Sequence, residues 1–116
     1  MSANDGYGQR FARSTNTKTI RTQVWRTVQS LKIPPMLKCR VDVEWVVNLR
    51  RGRDASNLGL WTKPIYDGIG AKHEPSAHVV PDDSPEYMET PTPTIRLARA
   101  ERPRFVVTIT DLGATR

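Results

Sequence analysis

Between residues 15 and 32 the apolar positions Ile20, Val24, Val28 and Leu31 recur at i, i+4, i+8 and i+11. That is the spacing of one face of an amphipathic helix. Trp25 stands beside this face, and Lys18, Arg21, Arg26 and Lys32 decorate the other positions. Pro34-Pro35 stops the helix, because proline has no amide hydrogen to donate and its ring clashes with the preceding turn. The period then changes to two. Cys39, Val41, Val43, Trp45 and Val47 alternate with Arg40, Asp42 and Glu44, which predicts a half-buried strand. A second helix is expected over about residues 57–69, burying Leu58, Trp61, Ile65 and Ile69. Pro64 inside it leaves open a loop first, with the regular helix starting near that proline. Beyond Gly70, prolines at 75, 81, 85, 91 and 93 predict loop, with a short Val79-Val80 strand ahead of Asp82-Asp83. Two strands close the chain, 94–99 and 105–110, the second turning Phe105, Val107 and Ile109 inward. Helix, strand, helix and strands with short connections predict a single α+β domain over residues 1–116. Its sheet is small, mixed or antiparallel, with two main helices. Residues 1–14 are polar and carry no helix or strand signal.

Composition narrows the function classes. The chain of 116 residues holds 18 basic and 12 acidic side chains, a formal net charge of +6. One cysteine excludes an internal disulfide framework and a four-thiolate zinc site, and His73 and His78 do not complete a Cys/His metal site with it. Cys39 falls on the apolar side of its strand and reads as a small buried hydrophobe. No apolar run approaches the ~20 residues of a membrane span, and there is no signal-peptide core, so a soluble cytoplasmic protein is expected. The charge is segregated: net +8 over residues 1–53, −5 over 54–95 and +3 over 96–116. Basic flanks attract a polyanion. The acidic centre repels it unless those carboxylates hold metal cations, a pattern that suits a metal-dependent nuclease.

Three segments carry candidate chemistry: Arg53-Asp54-Ala55-Ser56-Asn57-Leu58, Lys63-Pro64-Ile65-Tyr66-Asp67-Gly68, and Val79-Val80-Pro81-Asp82-Asp83. Hard divalent cations such as Mg²⁺ prefer carboxylate oxygens and waters, and carboxylates converging from separate elements make such a site. Each segment also has a plain structural role. Asp54, Ser56 or Asn57 could cap a helix; Lys63 and Asp67 could be a surface i, i+4 pair; Asp82-Asp83 could be turn residues. Spacing alone leaves both roles open.

In order, RDASNL, KPIYDGIG and VVPDDSPEYM resemble the RusA-like crossover-junction endodeoxyribonucleases, in particular their phage-type members. That family is typified by R-D-x-D-N-L, K-P-x-x-D-G and an acidic pair in V-x-P-D-D. Ser2-Ala3-Asn4-Asp5 is similar to its L-S-x-N-D segment, and the chain starts there, without the strand that precedes it in the family. The resemblance implies an α+β homodimer that binds branched DNA, four-way (Holliday) junctions above all, and cuts it with Mg²⁺ or Mn²⁺ in a bacterial or phage-infected cell. Carried over, Asp54, Asp83 and Lys63 are the catalytic residues, and Asp54 and Asp83, with Asp82 beside them, the metal ligands. Asp67 matches the aspartate of K-P-x-x-D-G, and Asn57 the asparagine of the first motif. Ser56 departs from the pattern: it stands where the family has a second aspartate, and a neutral hydroxyl is a poorer Mg²⁺ ligand. The 15 positions from Asp67 to Asp82 exceed the family spacing, so residues 72–76 read as an insertion.

Arg50, Arg51, Arg53 and Arg21 are the expected phosphate contacts. The alternative to an enzyme is a cleavage-impaired junction-binding protein on the same scaffold, which Ser56 favours. A basic RNA- or ribosome-associated protein explains the charge but not the ordered aspartates, and Trp25, Trp45 and Trp61 fall on predicted core faces, not on a stacking platform.

Overall fold

The computed structural model describes residues 17–48 and 59–113. Helix α1 covers Thr17–Ser30, strand β1 Cys39–Val47 and helix α2 Gly59–Gly70; β2 (Met88–Glu89), β3 (Thr94–Leu97) and β4 (Arg104–Asp111) follow. Ile20, Val24 and Val28 of α1 are buried as their spacing predicts. The helix ends at Ser30, one residue before Leu31, which is 37% exposed and does not join the apolar face expected for it. The cause is local. Leu31 N still donates to Thr27 O, but Lys32 takes a left-handed conformation (φ 55°) and donates to Gln29 O, so the backbone leaves the helical path directly after Leu31.

Strand β1 is the centre of the sheet. On one side it pairs antiparallel with β4, setting Val41 against Ile109, Val43 against Val107 and Trp45 against Phe105. The last two rings stack with centroids 5.7 Å apart, so one face of the ladder is continuously apolar. On its other side β1 pairs in parallel first with β2 and then with β3. Met88 to Thr94 spans six positions opposite the five from Cys39 to Glu44, so the ladder on this edge breaks between β2 and β3 and resumes with its register shifted by one residue. Pro91 and Pro93 lie in the interruption and cannot donate to the ladder. The sheet is therefore mixed, and the fold is α+β. The strand expected over 94–99 ends at Leu97, and β2 was not foreseen.

Both helices lie on the apolar face of the sheet. Ile20, Val24 and Val28 meet Ile65 and Ile69 of α2 over Cys39, Val41, Val43, Phe105, Val107 and Ile109. The opposite face is polar, with Glu44, Arg96, Glu101 and Arg104 joined by ion pairs of 2.7–3.3 Å. α2 is helical through Pro64 from Gly59 onward, so the loop alternative for its start does not hold. Leu58 and the Trp61 side chain lie outside what is described.

Val79-Val80 is not a strand. Both residues are buried, but their segment crosses the end of α2: Ala77 N donates to Gly68 O, Val79 N to Ile69 O, and Val79 O accepts from Met36 N. The last carbonyls of a helix have no partners within it, and here the 77–80 strap supplies them. Among the described residues no helix is long and apolar enough to cross a membrane.

Candidate active site

The strap that caps α2 also decides where the acidic pair falls. Tied to the carbonyls of Gly68 and Ile69, it carries the chain back alongside the helix. Ser84 O accepts from Tyr87 N and Met88 N, closing a turn just past Asp83. Asp83 consequently faces α2, on which Lys63 and Asp67 are i, i+4 neighbours on one face. Lys63 Nζ lies 3.0 Å from Asp67 Oδ1 and 3.2 Å from Asp83 Oδ2. Two of the three sequence segments thus meet at a single ammonium group, more than a surface i, i+4 pair.

Arg21 completes the cluster from α1. Its guanidinium lies 4.0 Å from Asp67 Oδ2, while Nε donates to Pro75 O at 2.7 Å and Nη2 to His73 O. The expectation for Arg21 was a cation on the outer side of its helix. It instead turns into the groove between the helices and ties α1 to the 73–75 loop. That loop is braced within itself: Glu74 accepts from Ser76 N and pairs with His78 Nε2, and Ser76 Oγ accepts from His78 N. The hydrogen bond to His78 and that from Ser76 N hold the Glu74 carboxyl below its ordinary value.

The electrostatics follow from this geometry. Burial opposes ionisation of Asp67, but its hydrogen bonding with Asp83 and Lys63 and the charges of Lys63 and Arg21 outweigh it, holding the carboxyl below its ordinary value. The two carboxylates are brought together by Lys63 Nζ, which bridges them. Lys63 is raised above its ordinary value, chiefly by its bond to Asp67 and further by Asp83. Both carboxylates are mostly shielded, with side chains 18% and 17% exposed.

Beside the cluster lies a cleft of about 590 Å³ lined by Thr17, Lys18, Arg21, Lys63, Pro64, Asp67 and Pro75. Thr17, Lys18 and Pro75 were not foreseen; only the place of the first two in the opening turn of α1 marks them in the sequence. Asp82, expected to ligate metal with Asp83, takes part in no ion pair among the described residues, and Asp67 stands in the position beside Asp83 instead. Asp54, Ser56, Asn57, Arg50, Arg51 and Arg53 lie outside the described residues. Cys39 is buried and its thiol is pushed up to about 11 by burial and by Asp111, which removes it from any nucleophilic role at neutral pH.

Two adjacent carboxylates suit Mg²⁺ or Mn²⁺, since Mg²⁺ binds through one or two carboxylates, several waters and substrate phosphate. Among the described residues no third His, Cys, Asp or Glu joins them. Comparison of the chain with family models, with curated proteins and with solved structures finds no match.

Proposed function

We propose that the protein is a metal-dependent endonuclease of the RusA-like type that resolves four-way DNA junctions by phosphodiester hydrolysis, acting as a homodimer. The observation that carries this reading is the convergence of Lys63, Asp67 and Asp83. Residues from the K-P-x-x-D-G and V-x-P-D-D segments, 20 positions apart at their ends, share one ion-pair cluster beside an open cleft. Asp67 and Asp83, with Asp54, are the residues that would hold Mg²⁺ or Mn²⁺. The bound cation supplies an activated water and offsets charge on the phosphate in the transition state.

The chain's own groups do the rest. Arg21 fixes the position of Asp67 and of the 73–75 loop. Lys18 and Lys63 line the cleft with positive charge for the phosphate backbone. Shielding keeps the carboxylates from being fully hydrated, which strengthens their hold on a cation. Two copies related by a two-fold axis match the two symmetric cleavage points of a junction.

A second reading, a junction-binding protein with impaired cleavage, is favoured by Ser56, which withdraws one negative charge from the motif. Labelled four-way junction and linear duplex of the same sequences, incubated with the protein with and without Mg²⁺, test both. Preferential binding of the junction and cleavage only with Mg²⁺ support the first. Binding without cleavage selects the second. Equal affinity for both DNAs without cleavage contradicts both.

A further inference from the structure

Two cations face the Asp67–Asp83 pair, and they are held in different ways. Arg21 is anchored by the carbonyls of His73 and Pro75, so its guanidinium is fixed 4.0 Å from Asp67. Lys63 bonds to the two carboxylates alone among the described residues, and its side chain is 69% exposed. The four charges sum to zero. A divalent cation added to that cluster would leave it with two excess positive charges in a half-shielded site, unless one of the resident cations left. Arg21 cannot leave without giving up two hydrogen bonds to backbone. Lys63 can, because exposed lysine ion pairs contribute little, and its flexible four-carbon stem moves the ammonium without moving the helix.

We propose that Lys63 is a displaceable counterion: it balances Asp67 and Asp83 in the free protein and is exchanged for the divalent cation, its ammonium then turning to the adjoining cleft. This rests on the reading of the pair as a cation-holding site and assigns Lys63 two successive partners. In the free protein it prevents two neighbouring carboxylates from repelling one another. Once released, it stands with Arg21 and Lys18 along the cleft, where a phosphate diester would meet it. Cation binding and phosphate binding are thereby coupled through one side chain, and the cost of breaking the lysine pair lowers the intrinsic affinity for the cation.

The test is direct binding of Mn²⁺ alone to the full chain, followed by the loss of the free-ion electron paramagnetic resonance signal, for wild type, Lys63→Gln and Asp83→Asn. Removing the competing ammonium is expected to tighten Mn²⁺ binding roughly two- to fivefold in Lys63→Gln, and Asp83→Asn to weaken it. A second measurement needs no variant: with ¹³C-labelled lysine, Mg²⁺ is expected to move one ε-carbon resonance of the wild type toward the position of solvated lysines. Wild-type binding that Lys63→Gln leaves unchanged or weakens, or a lysine spectrum indifferent to Mg²⁺ at saturation, overturns the exchange and leaves the metal site standing. Absence of Mn²⁺ binding to wild type and to Lys63→Gln at millimolar concentration overturns the exchange and the proposed function together.

Discussion

The close approach of the two helices at Gly68 gives a perturbation whose size can be worked out. A Cβ there would lie 2.7 Å from the carbonyl oxygen of Arg21, 2.9 Å from Val24 Cβ and 3.0 Å from Val24 Cγ1. The first contact is with backbone, which no side-chain rotation relieves, so Gly68→Ala must move α1 away from α2. Overpacking of this kind costs about 1–3 kcal/mol, and a backbone clash belongs at the upper end. Alanine returns about 1 kcal/mol through its helix propensity, which leaves a net loss of about 2 kcal/mol. At roughly 4 °C per kcal/mol for a domain of this size, the melting temperature falls by about 8 °C. Arg21 and Asp67 flank the clash, so separating the helices also loosens the cluster and should weaken Mn²⁺ binding. Thermal unfolding followed by circular dichroism reads the stability, with Gly70→Ala as the comparison. At Gly70 the contacts under 3 Å are side-chain methyls of Val80 and Met88, so a smaller fall is expected. A Gly68→Ala protein that melts at or above the wild type would refute the reasoning, since propensity would then have outweighed packing.

The buried Cys39 thiol should not react with a disulfide reagent at pH 8 until the protein unfolds. Because its folded pKa of about 11 lies above the ordinary 9.0, stability should fall between pH 9 and 11, where only the unfolded thiol ionises; a Cys39→Ala comparison isolates this loss. Asp67 is held below its ordinary value, so its contribution is present above the unfolded carboxyl range and lost as pH falls through the folded value. Asp67→Asn should therefore melt lower than wild type at pH 7 and decline less steeply in acid. If Arg50, Arg51 and Arg53 contact phosphates, junction affinity should drop steeply between about 50 and 200 mM salt, and a gel-shift titration indifferent to salt contradicts that assignment.

How much of this was legible depended on whether the signal was local. The periods of α1 and β1 run over several turns or pleats, and both elements fall where those periods place them, Leu31 at the end of α1 excepted. Strand β2 is two residues long and exists only through its pairing with Cys39 and Arg40, so nothing in Met88-Glu89 announces it. Val79-Val80 has the β-branched, apolar composition of a strand, but the amide of Val79 is taken by Ile69 O at the end of α2 and its carbonyl by Met36 N. Arg21 looks like any other cation on a helix flank; its inward turn depends on carbonyls more than 50 positions away. The Lys63–Asp67 pair is readable from i, i+4 spacing. Its union with Asp83 is not, because that contact is made by the strap that closes α2.

The most direct measurement for the proposed centre is Mg²⁺-dependent cleavage of a labelled four-way junction by wild type, Asp67→Asn and Asp83→Asn, with junction binding followed in the same samples. Wild type is expected to cleave, and each variant to bind the junction but to lose more than the roughly 10–100-fold that even an outer-shell metal partner costs. Cleavage by Asp67→Asn and Asp83→Asn at the wild-type rate would contradict it.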